Sequence, residues 1–94
     1  MNKYNALVRK NKLILLITRK NNALNRYELL LKEKEQFLKS VKLNNSAGNS
    51  NIRVNKIMHS IKYYTIQIQH LEKSLSGYAE EINQLDNVIN KNVN

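Results

Sequence analysis

The sequence contains no cysteine, no proline and only two glycines, Gly48 and Gly77, in 94 residues. Without cysteine, neither a disulfide framework nor a thiolate metal site can form. Proline and glycine disfavour helices most strongly, so their scarcity favours long, uninterrupted helices. The longest apolar run, Leu13–Ile17, has five residues, whereas a membrane-spanning helix needs about 20. The sequence therefore predicts an all-α protein without a membrane span.

Patterns that indicate catalysis or metal binding are also missing. His59 and His70 are separated by about 16 Å along a helix, which is too far to share a metal ion. The two close carboxylate pairs are expected on solvated helix faces, where nothing adapts them for acid–base catalysis; they are Glu33 with Glu35 and Glu80 with Glu81. No glycine-rich phosphate loop is present. We therefore expect no enzyme activity, no metal and no cofactor.

An apolar seven-residue repeat extends through the second half of the sequence. Its members alternate at spacings of three and four residues, which is typical of the buried seam of a left-handed coiled coil. The eleven positions are Val54, Ile57, Ile61, Tyr64, Ile68, Leu71, Leu75, Tyr78, Ile82, Leu85 and Ile89. Tyr63 lies beside this seam. Gly77 lies within the repeat and costs about 1 kcal/mol relative to alanine, so it marks either a bend, a close approach or an exposed position.

The first half carries a rougher version of the same seam. Its apolar positions are Leu24, Tyr27, Leu31, Leu38 and Val41, preceded by Ala6, Leu13 and Ile17 and interrupted by Lys10, Lys20 and Lys34. Leu7, Ile14, Leu16 and Leu30 widen the apolar face beyond a two-stranded seam. The small polar residues of 44–51 predict a turn. The sequence thus predicts one antiparallel two-helix coiled-coil hairpin, with helix one over about 4–43, a loop over 44–51 and helix two over about 52–90.

The net charge of +9 is concentrated in the first half, which has eleven Lys or Arg and three Glu. We interpret the bases of the first 26 residues as a candidate partner-binding surface, and they are Lys3, Arg9, Lys10, Lys12, Arg19, Lys20 and Arg26. Such a cluster can attract an acidic protein, nucleic acid or a membrane surface, or simply keep the helix solvated. The bases do not keep to one stripe and few aromatic residues are available for base stacking, so a protein partner is favoured over nucleic acid.

The sequence predicts two long helices, with a basic start and a heptad-rich second helix. Three stretches are the basis of a family resemblance, and they are Leu7–Lys10, Leu24–Glu28 and Ile66–Lys73. The sequence resembles the central stalk proteins of type III secretion systems, which serve flagellar export and injectisomes. The resemblance implies a cytoplasmic protein of protein transport and virulence, located at the face of a secretion apparatus. Such a protein connects a hexameric export ATPase to export-gate subunits. By this resemblance, residues 3–20 and 82–94 enter the ATPase ring, where the bases meet acidic pore loops.

Two alternatives belong to other functional classes. One is a coiled-coil secretion chaperone or assembly adaptor that binds a partner helix. The other is a small basic nucleic-acid-binding dimer of helical hairpins. A homodimer would also relieve the marginal stability of a lone hairpin with three lysines in its seam.

Overall fold

Two long helices make up the computed structural model, which describes residues 1–44 and 50–91, and side chains within 1–42 and 52–91. Helix α1 spans Lys3–Asn44 and helix α2 spans Ser50–Lys91, and no strand occurs in the described ranges. This architecture confirms the predicted all-α helical hairpin. In the part of the chain that the structure describes, no helix is sufficiently long and apolar to cross a membrane.

The helices extend further toward the turn than the sequence predicts. Asn44 ends α1, and α2 begins at Ser50 and includes Asn51, although all three residues belong to the predicted loop. Asparagine and serine only weakly disfavour a helix that is already propagating. The remainder of the predicted loop, residues 45–49, lies outside the described residues.

The start of α1 is capped by Asn2. Its Oδ1 accepts a hydrogen bond of 2.8 Å from the backbone N–H of Asn5, and its carbonyl oxygen accepts one of 3.0 Å from the N–H of Ala6. The side-chain bond satisfies one of the N–H groups that have no partner within the first turn of a helix. The cap explains why the helix begins directly at Lys3.

The chain divides into two compact units, each of which combines part of α1 with part of α2. Unit 1 comprises Met1–Ala23 and Leu71–Asn94. Ala6 and Leu13 are 0% exposed and form its core with Leu85. Partly buried side chains pack against this core, and they are Leu16, Tyr78, Ile82, Val88 and Ile89. The remaining apolar seam positions of this unit are also covered: Leu71 is buried, and Ile17 and Leu75 are half-buried.

Unit 2 comprises Leu24–His70. Ile57 is buried, and the other predicted seam residues are half-buried, namely Leu24, Tyr27, Leu31, Leu38, Val41, Val54, Ile61, Tyr64 and Ile68. The ring of Tyr27 on α1 contacts two rings on α2, with centroid distances of 5.9 Å to Tyr64 and 6.4 Å to Tyr63. Tyrosine rings therefore fill one layer between the helices, and Tyr63 joins it from the exposed edge.

Gly77 lies within α2 without interrupting it. A Cβ atom added there would meet nothing within 4 Å, and the residue is exposed. Of the explanations that the sequence leaves open, the structure favours an exposed glycine over a close approach.

Replacing Leu13 with alanine should lower the free energy of unfolding by about 3 kcal/mol, because the substitution removes a fully buried side chain and leaves a cavity. Leu15, two residues away, is 62% exposed and provides the matched control. The change Leu15→Ala should alter stability by no more than about 0.5 kcal/mol. Urea denaturation followed by far-ultraviolet circular dichroism measures both effects, and equal losses would contradict the assignment of the core.

Replacing Gly77 with alanine should raise the free energy of unfolding by about 1 kcal/mol, because the helix loses a glycine and gains a side chain that clashes with nothing. The same denaturation experiment measures this change. A destabilised Gly77→Ala variant would show that the position requires glycine after all.

Candidate partner-binding face

The seven bases predicted to bind a partner differ in their surroundings. Six of them lie in unit 1, whereas Arg26 is an exposed residue of unit 2. The exposed members in unit 1 are Lys3, Lys12 and Arg19, and the half-buried members are Arg9, Lys10 and Lys20. The bases of unit 1 are close together in the sequence, but they are of two kinds in the structure. Three are exposed to solvent, and three are half-buried.

Two of the half-buried bases are paired with carboxylates of α2. The guanidinium of Arg9 is bidentate on Glu81, with Nε 2.6 Å from Oε2 and Nη2 3.2 Å from Oε1. The Nζ of Lys10 lies 2.6 Å from Oδ1 of Asp86. These pairs satisfy Arg9 and Lys10 within unit 1, and they show how a lysine is accommodated in the seam. Arg9 and Lys10 thus already have carboxylate partners within unit 1, although 43% and 31% of their side-chain areas stay exposed, and binding of a partner by the seven bases stays a prediction.

The pairing also corrects the expectation for one carboxylate pair. Glu80 is exposed as expected, but Glu81 is half-buried and bonded to Arg9. The hydrogen bond from Arg9 holds the pKa of Glu81 below its ordinary value of 4.5, and the same bond raises the pKa of Arg9. Partly exposed ion pairs contribute little net stability. Their main effect is to align the basic start of α1 with the acidic stretch of α2.

A second apolar surface lies on α1, facing away from the seam. We call it the outer face, and its members are exposed by between 40% and 73% of their areas: Tyr4, Leu7, Val8, Ile14 and Leu15. Successive residues advance by about 100° around a helix, so these five share one sector, nearly opposite the buried Leu13. The first part of α1 is thus apolar on two sides, of which α2 covers one.

The exposed side of α2 in unit 1 is different. Among its described residues, 71–91, no large hydrophobic side chain is exposed; the exposed positions carry charged, amide, hydroxyl or very small side chains. Among the described residues of unit 1, the exposed large apolar side chains therefore lie on α1 and at Met1, just before it. Large apolar patches of this kind on a protein surface mark sites of interaction.

Bases and apolar side chains adjoin at the outer face. A shallow groove beside it is lined by Arg9, Lys12, Leu15, Leu16 and Arg19. Lys12 and Arg19 are exposed and make no ion pair within the described residues. This combination offers both apolar contact and positive charge to a partner.

The sequence contains a signal for part of the outer face. The apolar surplus that it predicts on helix one includes Leu7 and Ile14 of this face, but not Tyr4, Val8 or Leu15. Residues 4, 7, 8, 14 and 15 lie on one helical face, which the polar residues Asn11 and Thr18 interrupt. The heptad spacing places Ala6, Leu13 and Ile17 in the seam, in agreement with their burial or half-burial, but it does not reveal how much of the second set α2 leaves exposed.

The two histidines form no metal site among the described residues. His59 and His70 are both exposed, in α2. Across residues 1–44 and 50–91, no group of three or more His, Asp or Glu side chains is arranged to hold a metal ion.

Replacing Glu81 with glutamine should lower the urea midpoint at neutral pH, because Arg9 loses a charged partner. A carboxylate whose pKa is lowered by folding stabilises the folded state above its ordinary pKa, and this stabilisation disappears as the pH falls through the lowered value. The difference between wild type and the Glu81→Gln variant should therefore be complete above pH 4.5 and vanish in stronger acid. The adjacent Glu80→Gln is the matched control, and an equal pH dependence in both variants would contradict the pairing.

Comparison with known proteins does not identify a family for this chain. No protein-family model matches the chain, no curated protein is significantly similar to it, and no solved structure matches it. The functional assignment of the outer face therefore rests on its own residues and contacts.

Proposed function

We propose that this protein is a non-enzymatic helical-hairpin adaptor, which holds a partner protein against the outer face of α1. The observation that carries the proposal is the exposure of Leu15 and Tyr4, by 62% and 73%, on the side of α1 opposite the buried seam. A helix that is apolar on both sides is ordinarily covered on both. Covering a fully exposed leucine contributes about 1.5–3 kcal/mol, so a partner that covers this face gains substantially.

The architecture suits an adaptor because binding and folding use different sides of α1. Leu13 and Ala6 pack against α2, whereas the outer face is directed away from it. A partner helix can lie along the outer face without disturbing the seam. This is the mode in which an amphipathic helix is recognised through anchors spaced three and four residues apart.

A more specific version of the proposal is the stalk of a type III secretion apparatus, situated between the export ATPase and the export gate at the cytoplasmic face of that apparatus. Unit 1 contains the helix ends that would enter the ATPase ring, and the exposed Lys3 and Lys12 support an encounter with acidic pore loops. Arg9 and Lys10 contribute less to this version, because Glu81 and Asp86 already pair with them.

A photo-crosslinking amino acid at position 15 should yield a discrete protein adduct in the native cell, because Leu15 lies in the outer face. The same residue at Asn87, an exposed position on the polar side of α2, is the matched control and should yield none. Nuclease treatment before analysis removes adducts that depend on nucleic acid, and mass spectrometry identifies the protein.

The outcomes separate the functions under consideration. A nuclease-resistant adduct at position 15 alone supports the adaptor, and an export ATPase in that adduct supports the stalk version. Adducts at neither position, or equally at both, would overturn the outer face as the binding surface. An adduct that nuclease abolishes would transfer the assignment to nucleic-acid binding.

A further inference from the structure

The outer face is bordered on both sides by positive charge. In helical projection, at about 100° per residue, Lys3 lies along one border and Lys12 and Arg19 lie along the other. All three are exposed, and none makes an ion pair within the described residues. No acidic residue precedes Glu28 in the sequence. The borders of this face therefore carry one sign of charge only.

This charge pattern disfavours a second copy of the chain as the occupant. When two helices pack face to face, the residues that border their apolar stripes meet and determine which partner and orientation are accepted. If the outer faces of two copies met, bases would oppose bases in the parallel and in the antiparallel orientation alike. Like charges brought together at an interface weaken association. Acidic borders on the occupant would replace this repulsion with attraction in either orientation.

The centre of the outer face is polar, and this favours a protein helix over a lipid surface as the occupant of the face. Asn11 is exposed and lies in the middle of the sector occupied by Tyr4, Leu15 and Ile14. Thr18 lies near it, but its hydroxyl already donates a hydrogen bond of 3.0 Å to the carbonyl oxygen of Ile14. Acyl chains would leave the Asn11 amide without a hydrogen-bond partner, at a considerable cost. A polar side chain on a protein helix would satisfy it.

We infer that the outer face receives an acidic amphipathic helix, whose apolar stripe is bordered by Asp or Glu and carries one polar residue opposite Asn11. The inference rests on the proposed function and specifies the chemistry of its partner. Lys12 and Arg19 supply the contacts to the acidic border, Leu15 and Val8 supply apolar anchors, and Asn11 selects the register. A single buried asparagine has this register-setting role in coiled coils.

Binding of three synthetic helical peptides to the intact protein tests the inference. The peptides share one leucine-rich stripe with a central asparagine, and their border positions are all glutamate, all glutamine or all lysine. Fluorescence anisotropy should show that the glutamate peptide binds roughly tenfold more tightly than the glutamine peptide, and the lysine peptide most weakly, since each border contact contributes a modest charge attraction. Added salt should reduce the difference.

The double variant Lys12→Glu with Arg19→Glu should lose this tenfold preference and favour the lysine peptide. Neither residue participates in the ion pairs to α2, so the helix content should remain unchanged by circular dichroism. The matched control changes the same charge on the polar side of α2, as Lys73→Glu with Lys91→Glu, both exposed residues. It should retain the preference within about twofold.

Asn11 has a test of its own. The variant Asn11→Leu should bind a peptide with a central leucine in preference to one with a central asparagine, whereas the wild type should show the reverse order. An unchanged order would overturn the role assigned to Asn11.

Several results would overturn the partner chemistry without affecting the adaptor proposal. Equal binding of the glutamate and glutamine peptides would show that the partner needs no acidic residues beside its apolar stripe. The adduct at position 15 would still support docking on the outer face. Failure of all three peptides would overturn a helical occupant. Sedimentation of the protein with phosphatidylglycerol vesicles that is lost in Leu15→Ser would assign the face to anionic lipid. A dimer in sedimentation equilibrium that is lost in the same variant would assign it to a second copy.

Discussion

Each helix in the described structure has one neighbouring helix, and this limits how much apolar surface the chain can bury. In unit 1, only Ala6 and Leu13 reach complete burial, and most other seam side chains keep part of their area in solvent. A fold with a single line of core residues has little reserve of stability, because burial on folding is the main favourable term. Leu16 and Val88 still reach this core from beside the line, but apolar side chains on the opposite side of α1 have no second helix to pack against. The outer face of α1 is the consequence.

Electrostatics follows from the same pairing. The antiparallel arrangement brings the acidic stretch of α2 to the basic start of α1, and Glu81 and Asp86 then pair with Arg9 and Lys10. Fewer unpaired bases therefore remain in unit 1 than the sequence suggests. Two of those that remain, Lys12 and Arg19, both lie beside the outer face. In unit 1, folding thus leaves Lys12 and Arg19 exposed beside one apolar sector of α1.

The two apolar faces of α1 in unit 1 lie on different sides of the helix. Side chains that stabilise unit 1 point toward α2, and side chains available to a partner point away from it. Substitutions on the outer face can therefore change binding while the helices remain folded, so loss of binding can be distinguished from loss of structure. An adaptor, a secretion stalk and a nucleic-acid-binding hairpin would all share this scaffold, and they differ in what the outer face and its basic borders contact.

The sequence by itself determined the helical hairpin, because a scarcity of helix breakers and a sustained heptad repeat leave few other ways to bury the apolar positions. Burial of Ile57, Leu71 and Leu85 agrees with their place in that repeat. The seam predicted for α1 also agrees, because Ala6 and Leu13 are 0% exposed. Only the tertiary structure decided how much of the remaining apolar surface of α1 stays exposed, because that depends on how far α2 covers it. It also decided which bases stay available, because contacts such as Arg9 with Glu81 join residues 72 positions apart, and a linear pattern carries no distance information over such a separation.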